Sequence, residues 1–346
     1  MRMKLLAAFA CLGLAIGAPA QAAEKPLFAS ADRIHIAIQA PLSTLIRNRS
    51  YQGKIGGTLV DPGGQRLPIS LQLRGITRRT SEVCGFPPLR VEFTSPPPAS
   101  SLFAGQKKLK LVNQCRGGSA YRQYILLEYA AYRMYNLLTP RSFRAKLADV
   151  DFSDASGKPI ASQAGFFLED LDDVAHRNGM KQVKGGDRIP FSWLSSPDAA
   201  RYALFQHMIG NHDWSMRAGP AGKNCCHNAE LIGVGAPGQT IPVPYDFDFS
   251  GMVDAPYATP PAELSIPDVK SRFYRGYCAH NGDVLGAARQ MRAEQPQIVG
   301  VLSQVPGLEP RMQQRAAAYL ARFFADIDTD ADVSSKILKR CLGNNP

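Results

Sequence analysis

Long apolar runs are scarce in this sequence. Beyond its first two dozen residues, no stretch approaches the roughly 18 consecutive apolar residues that a membrane-spanning helix needs, so no transmembrane span is expected. No Lys/Arg-rich run occurs either, although the formal charge is +11. That argues against a nucleic-acid partner and leaves a diffuse basic surface suited to anions. There is no CxxC, and the adjacent pair Cys225-Cys226 is poorly spaced for zinc. Internal repeats are absent, which excludes a solenoid. With 20% charged and 45% hydrophobic residues in 346, the chain is neither disordered nor coiled-coil.

The beginning of the chain reads as a targeting segment. Arg2 and Lys4 form a short basic region, and Leu5 to Gly17 an apolar one. Ala20-Gln21-Ala22 then offers a cleavage site, giving a signal peptide over 1–23 and a periplasmic or secreted address. Removing Cys11 leaves Cys84, Cys115, Cys225, Cys226, Cys278 and Cys341, an even set that favours disulfides in an oxidising compartment. Sequence alone does not choose the pairing, but Cys84 and Cys115 flank predicted strands of one region and are the expected pair.

From residue 24 to about 115 the pattern is that of strands. Ile34, Ile36 and Ile38 alternate with polar or small residues, as do Ile69, Leu71 and Leu73, Leu89, Val91 and Phe93, and Leu109 and Leu111. A helix follows, with Ser119 as its expected cap and Pro140 as its stop. Tyr124, Leu127, Ala131, Tyr135 and Leu138 lie at helical spacing, with Glu128 on or beside that face. Strand-like segments at 145–152 and 164–168 lead to the acidic stretch Glu169 to Asp173. Helices are expected at 197–209, 283–294 and 309–327. The aspartates at 326, 328, 330 and 332 resemble the start of a calcium loop. However, Ala331 and Ile337 replace its glycine and glutamate, so a solvated helix end is expected.

Chemistry concentrates between Gly210 and Gly251. Asn211-His212-Asp213-Trp214 leads to Asn228 in HNAELI and then to IPVPYDFDFSG, which carries Asp246 and Asp248. Phosphoryl transfer uses these residue types. One aspartate orients the acceptor hydroxyl, an asparagine and another aspartate hold magnesium, and a lysine positioned by a glutamate neutralises phosphates.

Together with LRGITRRTSEVCGFPPLRVEF, LFAGQKKLKLVNQC, YILLEYAAYRMYNLLTPRSFR and GFFLEDLDD, these segments resemble the atypical kinases of the spore coat protein H (CotH) type, over about Ile69 to Ser250. The resemblance implies an α+β, atypical bilobal kinase-like fold, with a β-rich N-lobe over 24–173 and a mostly helical C-lobe over 174–346. It implies Mg2+ and ATP as cofactors and a protein or other polymer as hydroxyl acceptor. Lys110 resembles the phosphate-binding lysine, with Lys108 the competitor, and Glu128 its helix partner. Arg74 and Arg78 stand where a loop would cover the nucleotide, and Glu169 opens the interlobe connector. Asp213 resembles the catalytic-loop aspartate, Asn228 its metal-binding asparagine, and Asp246 the metal-binding aspartate, with Asp248 as an alternative.

The chain departs from the kinase pattern in lacking GxGxxG, in carrying DFD for DFG, and in the long separation of Asp213 from Asn228, which leaves Asn224 as an alternative ligand. Two rival readings stand beside this one. Gly210-Asn211-His212-Asp213 matches one block of metallophosphoesterases, though the other blocks are missing. A scaffold of this kind can also bind without turnover. His212 and His227 more commonly serve as structural hydrogen-bonders, and Trp214 as core.

Overall fold

The computed structural model describes residues 25–343. The predicted signal peptide and Cys11 lie outside them. Ten strands and seven α-helices of at least 5 residues organise the described residues. β1 (Ile34–Gln39), β2 (Ile55–Val60), β3 (Arg66–Leu73), β4 (Leu89–Phe93), β5 (Lys108–Asn113), β6 (Ala145–Ser153) and β7 (Pro159–Leu168) close into one barrel, in the order β1-β2-β3-β4-β5-β7-β6. Neighbours run antiparallel except at the closing seam, where β1 pairs parallel with β6 from Ile34↔Ala148 to Gln39↔Ser153.

The alternating residues explain the barrel's interior. Ile34, Ile36 and Ile38 point inward with Ile69, Leu71, Leu89, Val91, Leu109, Leu111, Val150, Phe152 and Phe167. Each strand's remaining residues face out, as the period of two requires. On β6 and β7 the outward face is also apolar. Leu147, Ala164, Phe166 and Leu168 join a second core under the helix α2 (Ser119–Leu138).

The expected bilobal kinase-like fold, with its β-rich N-lobe and mostly helical C-lobe, is not what the chain adopts. Its strands wrap into a closed seven-stranded barrel. The later part of the chain, moreover, has a sheet of its own: β8 (Lys181–Gln182), β9 (Ala229–Gly233) and β10 (Thr240–Pro244), in the order β10-β9-β8. The physical reason is the seam. Alternation shows which face of a strand is buried but not which strand it pairs with, and the β1–β6 pairing joins residues more than a hundred positions apart.

α2 is the central helix. It is buried nearly all round, with Ile125, Leu126, Leu127, Ala130, Ala131 and Met134 almost fully covered. Its N-cap is Gly118, which offers no side-chain cap, while Ser119 is its first helical residue. Thr139 closes the other end, just before Pro140. Around it stand α4 (Ser196–Ile209), α5 (Asn281–Ala293), α6 (Gln295–Gln304) and α7 (Pro310–Asp326). Two short helices, α1 (Ser43–Arg47) and α3 (Leu171–Arg177), fill corners of the barrel and of the small sheet. Gly210 ends α4 with φ +66°, and a side chain there would run into the Tyr319 hydroxyl. The chain can therefore turn sharply into Asn211-His212-Asp213 only with glycine.

Among the described residues three disulfides form: Cys84–Cys115, Cys225–Cys226 and Cys278–Cys341. The first is the expected pair and ties the segment after β3 to the entry of α2. No helix among the described residues is long and apolar enough to cross a membrane. The terminal aspartates bind protein groups: Asp330 pairs with Arg292 at 2.7 Å, and Asp332 with Lys336 at 2.9 Å.

Candidate functional site

Two strand ends and one helix build the site. β9 and β10 form a hairpin whose register, Ala229↔Pro244, brings Asn228 and Tyr245 together at its open end. The Tyr245 N–H donates to the Asn228 carbonyl at 3.2 Å. Pro242 and Pro244 fit because β10 is an edge strand, where a missing donor on the free side costs nothing. Asn228 and Asp246 both have left-handed backbones, φ +49° and +65°. For residues other than glycine this costs roughly 1–2 kcal/mol each and persists only where the surroundings impose it. At Asp246 the constraint is visible, since its N–H donates to the Tyr132 hydroxyl of α2 at 2.8 Å.

One turn of α2 away from Tyr132 lies Glu128. Carboxylate oxygens of Glu128, Asp246 and Asp248 all come within 4.8 Å of one another. Glu128 is 1% exposed and Asp248 4%. Glu128 Oε1 and Asp248 Oδ2 have no hydrogen-bond partner. Burial, then the charge of Asp248, pushes the Glu128 carboxyl well up. Burial, then Asp246, raises Asp248 to about 7. Buried carboxylates this close repel strongly unless protons or a cation intervene. Three hard oxygen donors with unspent lone pairs fit Mg2+, Mn2+ or Ca2+ rather than zinc.

The cation in contact with this group is Arg78, carried on a short 3₁₀ turn (Thr77–Arg79). Its Nη1 lies 3.4 Å from Glu128 Oε2 and 3.9 Å from Asp248 Oδ2, and its Nη2 donates to the Asn113 carbonyl. Burial opposes the guanidinium's charge, but Tyr257, Asp248 and Glu128 together hold it firmly protonated.

Lys110 does not reach Glu128. Its Nζ lies 3.4 Å from Glu230 Oε1 and 4.1 Å from the centre of the Tyr245 ring. Burial, then Arg74, lowers this ammonium to about 8, against the pull of Glu230 and Asp246. Arg74, at the end of β3, is desolvated and feels Asp246 and Tyr245. Lys110 and Arg74 therefore make a cationic flank beside Asp246.

Asp213 stands on the loop after α4 with both carboxylate oxygens engaged. Its Oδ1 is 2.7 Å from His227 Nε2, and its Oδ2 accepts from Asn228 Nδ2 at 3.0 Å. Asn228 Nδ2 also donates to the Asp213 carbonyl at 2.6 Å. The hydrogen bond to Asp213 raises the His227 pKa, and burial opposes it. A third of the Asp213 side chain remains open to solvent, which suits a group that meets a substrate.

The expected residues thus divide. Glu128, Asp246 and Asp248 meet as one carboxylate group. Asn228 is turned to Asp213, and Asn224 is exposed in its loop. Arg78, not Lys110, meets Glu128, because the 3₁₀ turn inserts its guanidinium between β5 and α2. Lys108 points to the surface, 3.5 Å from Asp170. Glu169 is a clamp, accepting from Arg177 Nε and from the Arg144 N–H, each at 3.0 Å. The Gly210–Asp213 block is not arranged as a phosphoesterase metal block. His212 Nε2 accepts from the Phe273 N–H at 3.1 Å, and Asn211 Oδ1 accepts from the Asp213 N–H at 3.1 Å. Tyr132, Tyr245, Tyr257 and Glu230 escaped the sequence reading. Tyr132 had a signal, since it lies four residues after Glu128 and so on the same helical face.

Compared with known proteins, this chain matches no family model and no curated protein.

Proposed function

We propose that this chain is a divalent-cation-dependent phosphotransferase that moves a phosphoryl group from a nucleotide to a hydroxyl acceptor. The observation that carries this reading is the buried group Glu128, Asp246 and Asp248, with oxygens left unpartnered beside a cationic flank. The fold does not contribute to it. The resemblance to the spore coat protein H type kinases suggests the nucleotide, and the chemistry of the side chains suggests the rest.

When bound between the three carboxylates, Mg2+ would neutralise phosphate oxygens and orient them. Lys110 and Arg74 would offset the remaining phosphate charge, with Lys110 held in place by Glu230 and the face of Tyr245. Asp213 would take the proton of the acceptor hydroxyl at Oδ1 or Oδ2, and His227 and Asn228 fix the direction of those oxygens. The packing that buries Glu128 and Asp248 keeps water from one side, which strengthens the charge interactions there.

A second reading, binding without turnover, is favoured by one feature: Lys110 is tied to Glu230 and makes no ion pair with Glu128. One experiment separates the two. Residues 24–346 are incubated with γ-labelled ATP and Mg2+ or Mn2+, with and without hydroxyl-rich acceptors. Cation-dependent label transfer, lost in Asp213→Asn and Asp246→Asn, supports the transferase. Cation-dependent ATP binding with no transfer supports the binding protein. Neither binding nor transfer in the intact protein removes the proposal.

A further inference from the structure

We infer that Arg78 sets the charge preference of the carboxylate site, matching it to a divalent ion. The inference rests on the reading of Glu128, Asp246 and Asp248 as a cation site and concerns which ions that site takes.

Electroneutrality governs a group of charges this deeply buried. Three ionised carboxylates carry a formal charge of −3, and metal ligands must be ionised to bind. Arg78 contributes +1 at 3.4 Å from Glu128 and 3.9 Å from Asp248. A divalent ion then brings the group to zero. A trivalent ion would leave +1, and a monovalent ion −1. In a buried site each uncompensated unit is costly, far more so than at a surface. Arg78 is the cation in direct contact with the carboxylate group: Lys110 is paired with Glu230, and Arg74 acts on Asp246 from beyond ion-pair distance, so both add a background charge that substitution of Arg78 leaves in place.

Arg78 is also placed to act as a fixed charge rather than a visitor. It is 5% exposed. Its Nη2 is held by the Asn113 carbonyl at the end of β5, and Cys84–Cys115 closes the segment that follows. Its neighbour Arg79 donates to the carbonyls of Arg49 and Tyr51, which anchors the turn from the other side. The guanidinium therefore stays beside Glu128 when a cation arrives and adds its charge to the sum.

The test uses terbium(III) and manganese(II) on purified residues 24–346. Tyr132 and Tyr257, which border Asp246 and Asp248, should sensitise terbium luminescence, and manganese competes it away. Arg78→Met should raise the ratio of terbium to manganese affinity at least tenfold over the wild type. Arg78→Lys should keep the ratio within about threefold. Should Arg78→Met fail to fold, Arg78→Gln, which is neutral but keeps a hydrogen-bond donor for the Asn113 carbonyl, carries the test with the same expected rise. An unchanged ratio in the folded neutral variant overturns the role of Arg78. A wild type that binds neither ion overturns instead the cation site itself.

Discussion

Lys110 carries chemistry that an exposed lysine would not. Burial beside Arg74 brings its ammonium to about 8, so it changes charge just above neutral pH. Its positive form is the one that can face phosphate. As pH rises from 7 to 9 the charge is lost, and the KM for nucleotide should rise roughly tenfold while Lys110→Arg stays flat. Steady-state kinetics across that range, at saturating cation, measures this. The motif drew attention to Asp213, Asn228 and Asp246 and the helical spacing to Glu128, but the meeting of Glu128 with Asp246 and Asp248 is a property of the fold. The two adjacent arginines at 78 and 79 do not say which of them turns toward Glu128. Only the 3₁₀ geometry of Thr77–Arg79 decides that.

Among the elements, the loop after α4 and the Thr77–Arg79 turn between β3 and β4 hold the site together. His207, near the end of α4, and His212 beyond it are buried and kept neutral, at about 3 and about 4. Burial is the first cause in both, followed by Arg272 and Arg275 respectively. Their folded values lie below the unfolded value of about 6.5, so the unfolded chain binds more protons in acid. The stability they contribute is thus complete above about pH 6.5 and is lost as the pH drops, toward about 4 for His212 and about 3 for His207. His207→Gln should flatten that fall by one proton's worth, read from denaturant midpoints at pH 7, 6 and 5. Cys84–Cys115 closes a span of 31 residues. Replacing both cysteines by serine should cost about 3–4 kcal/mol in the loop-entropy model, measurable in the same denaturation series. Elements with strict alternation, such as β1 and β5, were legible, and so were α2 and α7. β2 was not, because Gly56 and Gly57 break its apolar pattern, and β8 is only two residues long.

For the whole molecule, two cores meet at β6 and β7. The barrel fills itself on one side, and on the other α2 lays Glu128 toward the β9–β10 hairpin. The order of strands and helices suggested two lobes because local patterns are read along the chain, whereas the barrel closes through a distant parallel seam. The site spans this architecture. Its carboxylates come from α2 and from the segment after β10, its counter-charge from the β3–β4 connection, and its proposed base from the loop after α4. Occupation by a cation should therefore be felt throughout the fold, since an ion bound only by the folded chain stabilises all of it.

Calorimetric titration of manganese into the wild type and Asp246→Asn, with circular dichroism to confirm folding, asks whether the three carboxylates hold a cation. A cation held by them gives one saturable site in the wild type, weakened at least about a hundredfold by the substitution. Equal affinity in the two folded proteins, or no saturable binding in the wild type, would contradict it.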